Sequence, residues 1–183
     1  MIFTALSSPH FKEIIAIANQ VLGNDFLTST TLKEYINNPN KKALVLLMDQ
    51  QVVGFINIDL TSSQKLPSVL LNEVDDLNGL LNIALIKQVI VLPSYQKKGF
   101  GKQLIQKIIE QNQLNNTTYL CIAWKTGNNI PIKKALIHNG FNVEKEIPNY
   151  WFSDSLQHQY HCPVCGVPPC KCNAVVFIRN TTF

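Results

Sequence analysis

The stretch from Ile83 to Ile109 constrains this chain more than any other. An apolar run, Ile83 to Leu92, stops at Pro93, and a polar turn follows it. Gly99 and Gly101 then open a segment whose apolar residues fall at Leu104, Ile105, Ile108 and Ile109. The first run reads as a strand and the last as an amphipathic helix. Such a join points unpaired backbone N–H groups and the positive helix end at one spot. A phosphate or pyrophosphate suits that spot. Glycine at 99 and 101 removes Cβ atoms, permitting close approach and unusual dihedrals.

The known nucleotide patterns do not fit. A Walker turn needs glycine where Gln96 stands and Ser or Thr where Gln103 stands, and a dinucleotide fingerprint needs glycine at Leu104. What remains, Gln96-Lys97-Lys98-Gly99-Phe100-Gly101, resembles the signature of the GNAT superfamily of N-acetyltransferases. Val89 to Pro93 is similar to that family's fourth strand, and Asn139-Gly140-Phe141 to its later helix exit. The order of elements from Ile2 to Phe141 also fits.

The resemblance implies acetyl-CoA as cosubstrate. Main-chain donors from Gln96, Lys97, Lys98, Gly99, Phe100, Gly101 and Lys102 would cradle its pyrophosphate. The pantetheine arm would run along Val89 to Val91 where the fourth and fifth strands splay. A backbone N–H near Ile90 or Val91 would face the thioester oxygen, a donor worth about 3 kcal/mol in the transition state. Asn129 stands where the family places a CoA-contacting asparagine. For Lys97, Lys98, Lys102 and Lys107, phosphate contact and a solvated helix face stand as equal readings. Two proton-transfer groups common in the family are absent: Leu136 occupies the position of a tyrosine acid, and Lys87 that of a glutamate base. No catalytic residue is assigned. Glu73, Asp75 and Asp76, and also Tyr150, are the substitutes within the chain, set against a solvated loop and a packed aromatic wall.

Elsewhere strands and helices interleave, giving a mixed α/β chain with a partly antiparallel sheet of about six to seven strands. Ile2 to Leu6 reads as a strand. A helix follows, with Phe11, Ile14, Ile15, Ala18, Val21 and Leu22 on one face, ending at Gly23-Asn24. A capping box at Thr31 to Glu34 opens a helix over Leu32 to Asn37. Ala43 to Met48 and Val52 to Leu60 read as an antiparallel hairpin. Thr61 to Asn82 shows no dominant period. Tyr119 to Trp124, a helix from Pro131 to His138, Phe141 to Lys145 and Ala174 to Arg179 complete the pattern. The whole chain, residues 1–183, reads as a single GNAT-like domain.

With 46% hydrophobic residues the chain can bury a full core. No run of eighteen apolar residues is present and the first residues do not form a signal peptide, so the reading is a cytoplasmic protein with no membrane partner. A charge of +4 from 16 basic and 12 acidic residues, scattered rather than striped, does not imply nucleic acid.

Four of the five cysteines crowd into Cys162, Cys165, Cys170 and Cys172, while Cys121 reads as a buried small hydrophobe. In a reducing compartment such crowding speaks for metal before disulfides. Cys-x2-Cys followed by Gly166 has the form of a zinc knuckle, and a Cys-x-Cys pair after Pro168-Pro169 would complete a tetrahedral, structural zinc site. Free thiols or a transient disulfide are the competing readings. Residues 158–173 form this insertion, which resembles one in some bacterial GNAT proteins and by position would shape an acceptor wall beside Tyr150 and Trp151. The function expected is acetyl transfer from acetyl-CoA to a primary amine on a small molecule or protein; the alternative is a non-catalytic CoA-binding or zinc-knuckle interaction module. Oligomeric state has no signature in the sequence.

Overall fold

The computed structural model describes residues 1–24, 26–112 and 116–181. It holds strands β1 (Ile2–Ala5), β2 (Lys41–Met48), β3 (Gln51–Thr61), β4 (Ile83–Val91), β5 (Thr118–Lys125), β6 (Asn142–Ile147) and β7 (Asn173–Asn180). The helices are α1 (Phe11–Leu22), α2 (Ser29–Asn37), α3 (Ser68–Glu73), α4 (Phe100–Gln111), α5 (Lys133–His138) and α6 (Phe152–His158). The strands build one seven-stranded sheet flanked by helices, the mixed α/β class expected. The chain divides into two compact units, Met1–Asp59 with Ile86–Gln113, and Leu60–Leu85 with Leu114–Phe183.

In the first unit β2 pairs antiparallel with both β1 and β3. The β2–β3 hairpin closes tightly on Asp49 and Gln50, both at positive φ, the twist that suits a two-residue hairpin turn. Helix α1 starts from a 3-10 turn at Ser8–His10, with Ser7 and His10 forming the box that caps it. Its buried residues are Phe11, Ile14, Ile17 and Ala18; Ile17 lies deep in the core and Ile15 is only partly covered. They pack with Leu27, Leu32, Tyr35, Val45, Val52, Phe55 and Ile90. Each buried aliphatic side chain contributes roughly 1.5–3 kcal/mol by leaving water.

Helix α2 begins earlier than the capping box at Thr31 predicts. Thr28 is its N-cap, and its Oγ1 accepts the Thr31 N–H at 3.1 Å. Four consecutive hydroxyl residues, Thr28 to Thr31, offer several caps, and the earliest adds a turn to the helix.

In the second unit β7 pairs antiparallel with β5 and with β6, so β7 lies between them. Helix α5 begins at Lys133, two residues after Pro131, and ends in a Schellman turn. The Phe141 N–H donates to the Leu136 carbonyl and the Gly140 N–H to Ile137, with Gly140 at φ 79°. The segment after Thr61, without a clear period in the sequence, holds α3 between 3-10 turns at Ser63–Lys65 and Asp75–Leu77. Its Leu66, Leu70, Val74 and Leu77 pack on Leu120, Ile147, Val176 and Ile178. Strand β6 exposes its first five residues and buries only Ile147.

Candidate functional site

The turn between β4 and α4 belongs to the first unit. The Leu92 N–H donates to the Val53 carbonyl, fixing the end of β4 against β3. A 3-10 turn at Pro93–Tyr95 carries the chain to Gln96, whose Nε2 donates back to the Val91 carbonyl at 3.0 Å. The Gln96 side chain thus shapes the turn from within. Gly99 is the N-cap of α4 at φ 87°, a left-handed conformation that side chains disfavour. The Gln103 N–H bonds the Gly99 carbonyl. The amides of Gly99, Phe100 and Gly101 come before it and, as at any helix start, lack an intrahelical acceptor.

The two glycines differ. A Cβ built at Gly101 would meet no heavy atom within 4 Å, and Gly101 lies in the first turn of α4 rather than in the left-handed region. Only Gly99 has the unusual dihedral expected of both. Nothing in the protein's own packing therefore asks for glycine at 101; open space over bare amides suits a ligand that comes close. The lysines divide as well. Lys98 lies over the Tyr95 ring at 5.1 Å, and Lys107 pairs with Glu110 at 2.7 Å on the exposed face of α4. Lys97 is exposed at φ 59°. Ile90 and Val91 are buried at the end of β4.

Asn129 belongs to the second unit, exposed in a tight loop where it exchanges backbone hydrogen bonds with Thr126. Leu136 is fully buried in the core and Lys87 is exposed on β4, so neither position supplies the tyrosine acid or the glutamate base looked for there. Glu73 pairs with Lys145 at 3.5 Å on the surface, and Asp75 and Asp76 stand exposed on their 3-10 turn. Tyr150 packs edge-on against Trp151 at 5.1 Å; burial first, then the nearby Asp154 carboxylate, push its hydroxyl up to about 12.

A polar cluster inside the first unit had no counterpart in the sequence reading. The Gln88 N–H donates to Asn57 Oδ1 at 2.8 Å, and Asn57 is fully buried. Asn57 Nδ2 meets only the Tyr35 hydroxyl, too loosely for a full hydrogen bond, and Gln88 Oε1 has no partner among the described residues. A buried group left so costs about 1–3 kcal/mol unless a water or ligand completes it. Beside them the Tyr35 hydroxyl donates to Asp59 at 2.7 Å. The signal was present: Asn57 and Asp59 interrupt an otherwise apolar strand.

The four cysteines come together in the second unit. One sulfur from each of Cys162, Cys165, Cys170 and Cys172 lies within 4.8 Å of the others. The Cys162–Cys172 and Cys165–Cys172 separations are 3.8 and 3.5 Å. A disulfide needs about 2 Å, and all four are free thiols here. Tetrahedral thiolates at zinc's usual bond length sit roughly 3.8 Å apart, so the donor set and its spacing fit that ion. The Cys165 N–H donates to Cys162 Sγ and the Lys171 N–H to Cys165 Sγ, at 3.4 and 3.3 Å. Cys162 and Gly166 exchange backbone hydrogen bonds, with Gly166 at φ 79° turning the chain inward. The Lys171 N–H is the main influence holding the Cys165 thiol below its ordinary value, whereas burial pushes Cys172 up to about 11. Trp124 and Trp151 pack against the cluster.

A strand, a glycine turn and an amphipathic helix follow one another here, and comparison with known proteins says which family builds them in this order. Residues 11–131 match the sequence model of the acetyltransferase (GNAT) family. The chain belongs to that family. The cysteine cluster lies beyond the matched residues.

Solved structures share the fold. NAA60 of Arabidopsis thaliana, in complex with acetyl-CoA, is similar at 12% identity and TM-score 0.66, over 98% of this chain and 97% of that one. The ribosomal-protein-S18-alanine N-acetyltransferase of Escherichia coli is similar at 14% identity and TM-score 0.64, over 100% and 94%. An acetyltransferase of the GNAT family from Streptococcus pneumoniae is similar at 14% identity and TM-score 0.66, over 98% and 99%. Comparison with curated protein sequences gives no match.

Proposed function

We propose that the protein is an N-acetyltransferase that moves an acetyl group from acetyl-CoA to a primary amine on a small molecule or a protein. Family membership supports the reaction class, and the uncovered turn at Gly99 to Gly101 is the observation that carries the cosubstrate. In this reading the turn from Gln96 to Lys102 seats the pyrophosphate, with the helix-start amides around Gly99 to Gly101 as its donors because the Gln96 N–H is taken by the Pro93 carbonyl at 3.2 Å, and a β4 amide at Ile90 or Val91 polarises the thioester carbonyl. The neutral amine attacks that carbonyl carbon, the C–S bond breaks, and CoA leaves as a thiolate that takes up a proton. Leu136 and Lys87 replace the expected tyrosine acid and glutamate base, so in this reading the amine sheds its proton to water, and rate comes mainly from proximity and the carbonyl's polarisation.

Cys162, Cys165, Cys170 and Cys172 are proposed to hold a structural zinc ion; four sulfurs leave no open coordination position for catalysis. Reduced thiols at such spacing suit a cytoplasmic protein. We take residues 1–183 as one acyltransferase domain with 158–173 as an insertion, since two of the three passages of the chain between its compact units fall inside strands, β3 and β4.

A second reading rests on the same two positions: with Leu136 buried and Lys87 on β4, a CoA-binding module without turnover keeps the turn and loses the chemistry. Calorimetric binding of acetyl-CoA combined with thiol release over a panel of amines separates the two. Turnover with at least one amine is expected. Binding without turnover leaves the module, and no binding removes both readings. Gly101→Leu should fold at least as stably, because leucine favours a helix over glycine by somewhat under 1 kcal/mol. Its acetyl-CoA affinity should fall at least tenfold; an unchanged affinity would remove the turn from the site.

A further inference from the structure

Helix α6 lacks the usual reason to stay folded. Ser155 is its one buried residue, while Phe152 and Leu156 are 41% and 45% exposed. Seven residues are too few for a helix to hold itself in water, and most surface helices are held by an apolar face that this one does not bury. What α6 has is a hydroxyl. Ser155 Oγ accepts the Cys170 N–H at 2.8 Å and donates to the Phe152 carbonyl at 2.9 Å. Its anchor is therefore the backbone of a cysteine in the cluster.

The cysteine loop is no more self-sufficient. Its Val164 and Val167 face solvent, and its buried side chains are those of Cys162, Cys170 and Cys172. Two rings close over them. Trp124 on β5 packs against the sulfurs, as does Trp151, the N-cap of α6. Loop, helix and indole thus converge on four sulfurs whose spacing suits one ion.

Resting on the metal reading above, we infer that the cysteine cluster is a metal-dependent fastener for α6, with Ser155 as the positioning residue. With zinc held, the cysteines fix the Cys170 amide, and Ser155 seats α6 and Trp151 against it. With the cysteines unliganded, the Cys170 amide is no longer fixed, and residues 152–158 with Trp151 leave their seat. The first compact unit, which carries the Gly99 turn, keeps its structure.

Hydrogen exchange read by mass spectrometry on the full chain, purified with zinc, tests this. Stripping zinc with a chelator should speed exchange in 152–158 tenfold or more and leave α4 unchanged. Ser155→Ala should still take up one zinc per chain, yet show fast exchange in 152–158 with zinc present. It should also release zinc to a colorimetric chelator about tenfold faster, as loss of an outer-shell partner does. Equal protection of 152–158 before and after stripping overturns the inference, as does a protein that takes up no zinc. If Ser155→Ala does not fold, the stripped wild type decides alone. Acetyl-CoA binding on the same samples reports separately on the acetyltransferase reading: its loss throughout sinks that reading while the exchange data still decide this one.

Discussion

Cys121, on β5, is 5% exposed, and burial alone pushes its thiol from 9.0 up to about 12. A thiol with a raised folded pKa binds its proton more tightly in the native state than in the unfolded one. Its contribution is whole below pH 9 and drains away as pH rises from 9 toward 12, where the unfolded chain ionises first. The limiting slope is about 1.4 kcal/mol per pH unit. Urea unfolding at pH 8 and pH 10 should show a loss of about 1 kcal/mol in the wild type beyond that in Cys121→Val. Equal losses would mean that this thiol ionises freely in its strand. Placing Cys121 inside needed only its apolar neighbours. Asn57 stood out as a polar break in an apolar strand, but its partner did not, because the bond to the Gln88 amide 31 residues away has no local pattern. Gly101 was legible as a residue and not as a conformation: the motif named it, but only the built backbone shows that its dihedral is ordinary and its surroundings open.

Elements with a clear apolar period were readable to within a residue or two. Helix α4 buries the four residues its spacing picks out, Leu104, Ile105, Ile108 and Ile109. Where several residues can play one local part, sequence does not choose among them, and α2 shows the effect. Its start is set by Thr28 rather than Thr31. Thr28→Ala should cost about 1 kcal/mol of stability through loss of the cap, and Thr31→Ala less, both measured by chemical denaturation. The reverse order would return the helix start to Thr31. Helix α6 escaped notice for a related reason. It has no buried apolar stripe to give it a period, and what seats it is one serine hydroxyl.

For the molecule entire, the order of strands and helices was enough to give the fold class, because alternating periods of two and 3.6 leave few ways to cover a sheet. Chemistry was less legible than architecture, since Leu136 and Lys87 say what is missing and not what replaces it. An enzyme without its own acid or base should follow the ionisation of its acceptor. The logarithm of kcat/KM is expected to rise with unit slope as pH rises, levelling at the pKa of the free amine and shifting when an amine of different pKa is used. Tyr150, pushed up to about 12, stays protonated across that range. A plateau fixed at one pH for every amine would reveal a proton acceptor within the protein.

Strands β1 and β6 stand at the two ends of the sheet order, and neither makes an inviting template for another chain. β1 is only four residues long, while β6 displays Glu144, Lys145 and Glu146 along its exposed length. Short rims and charged rims both discourage the addition of foreign strands. The consequence is colloidal: crowding this protein in concentrated solution should bring repulsion between molecules before any of them zip together into fibres.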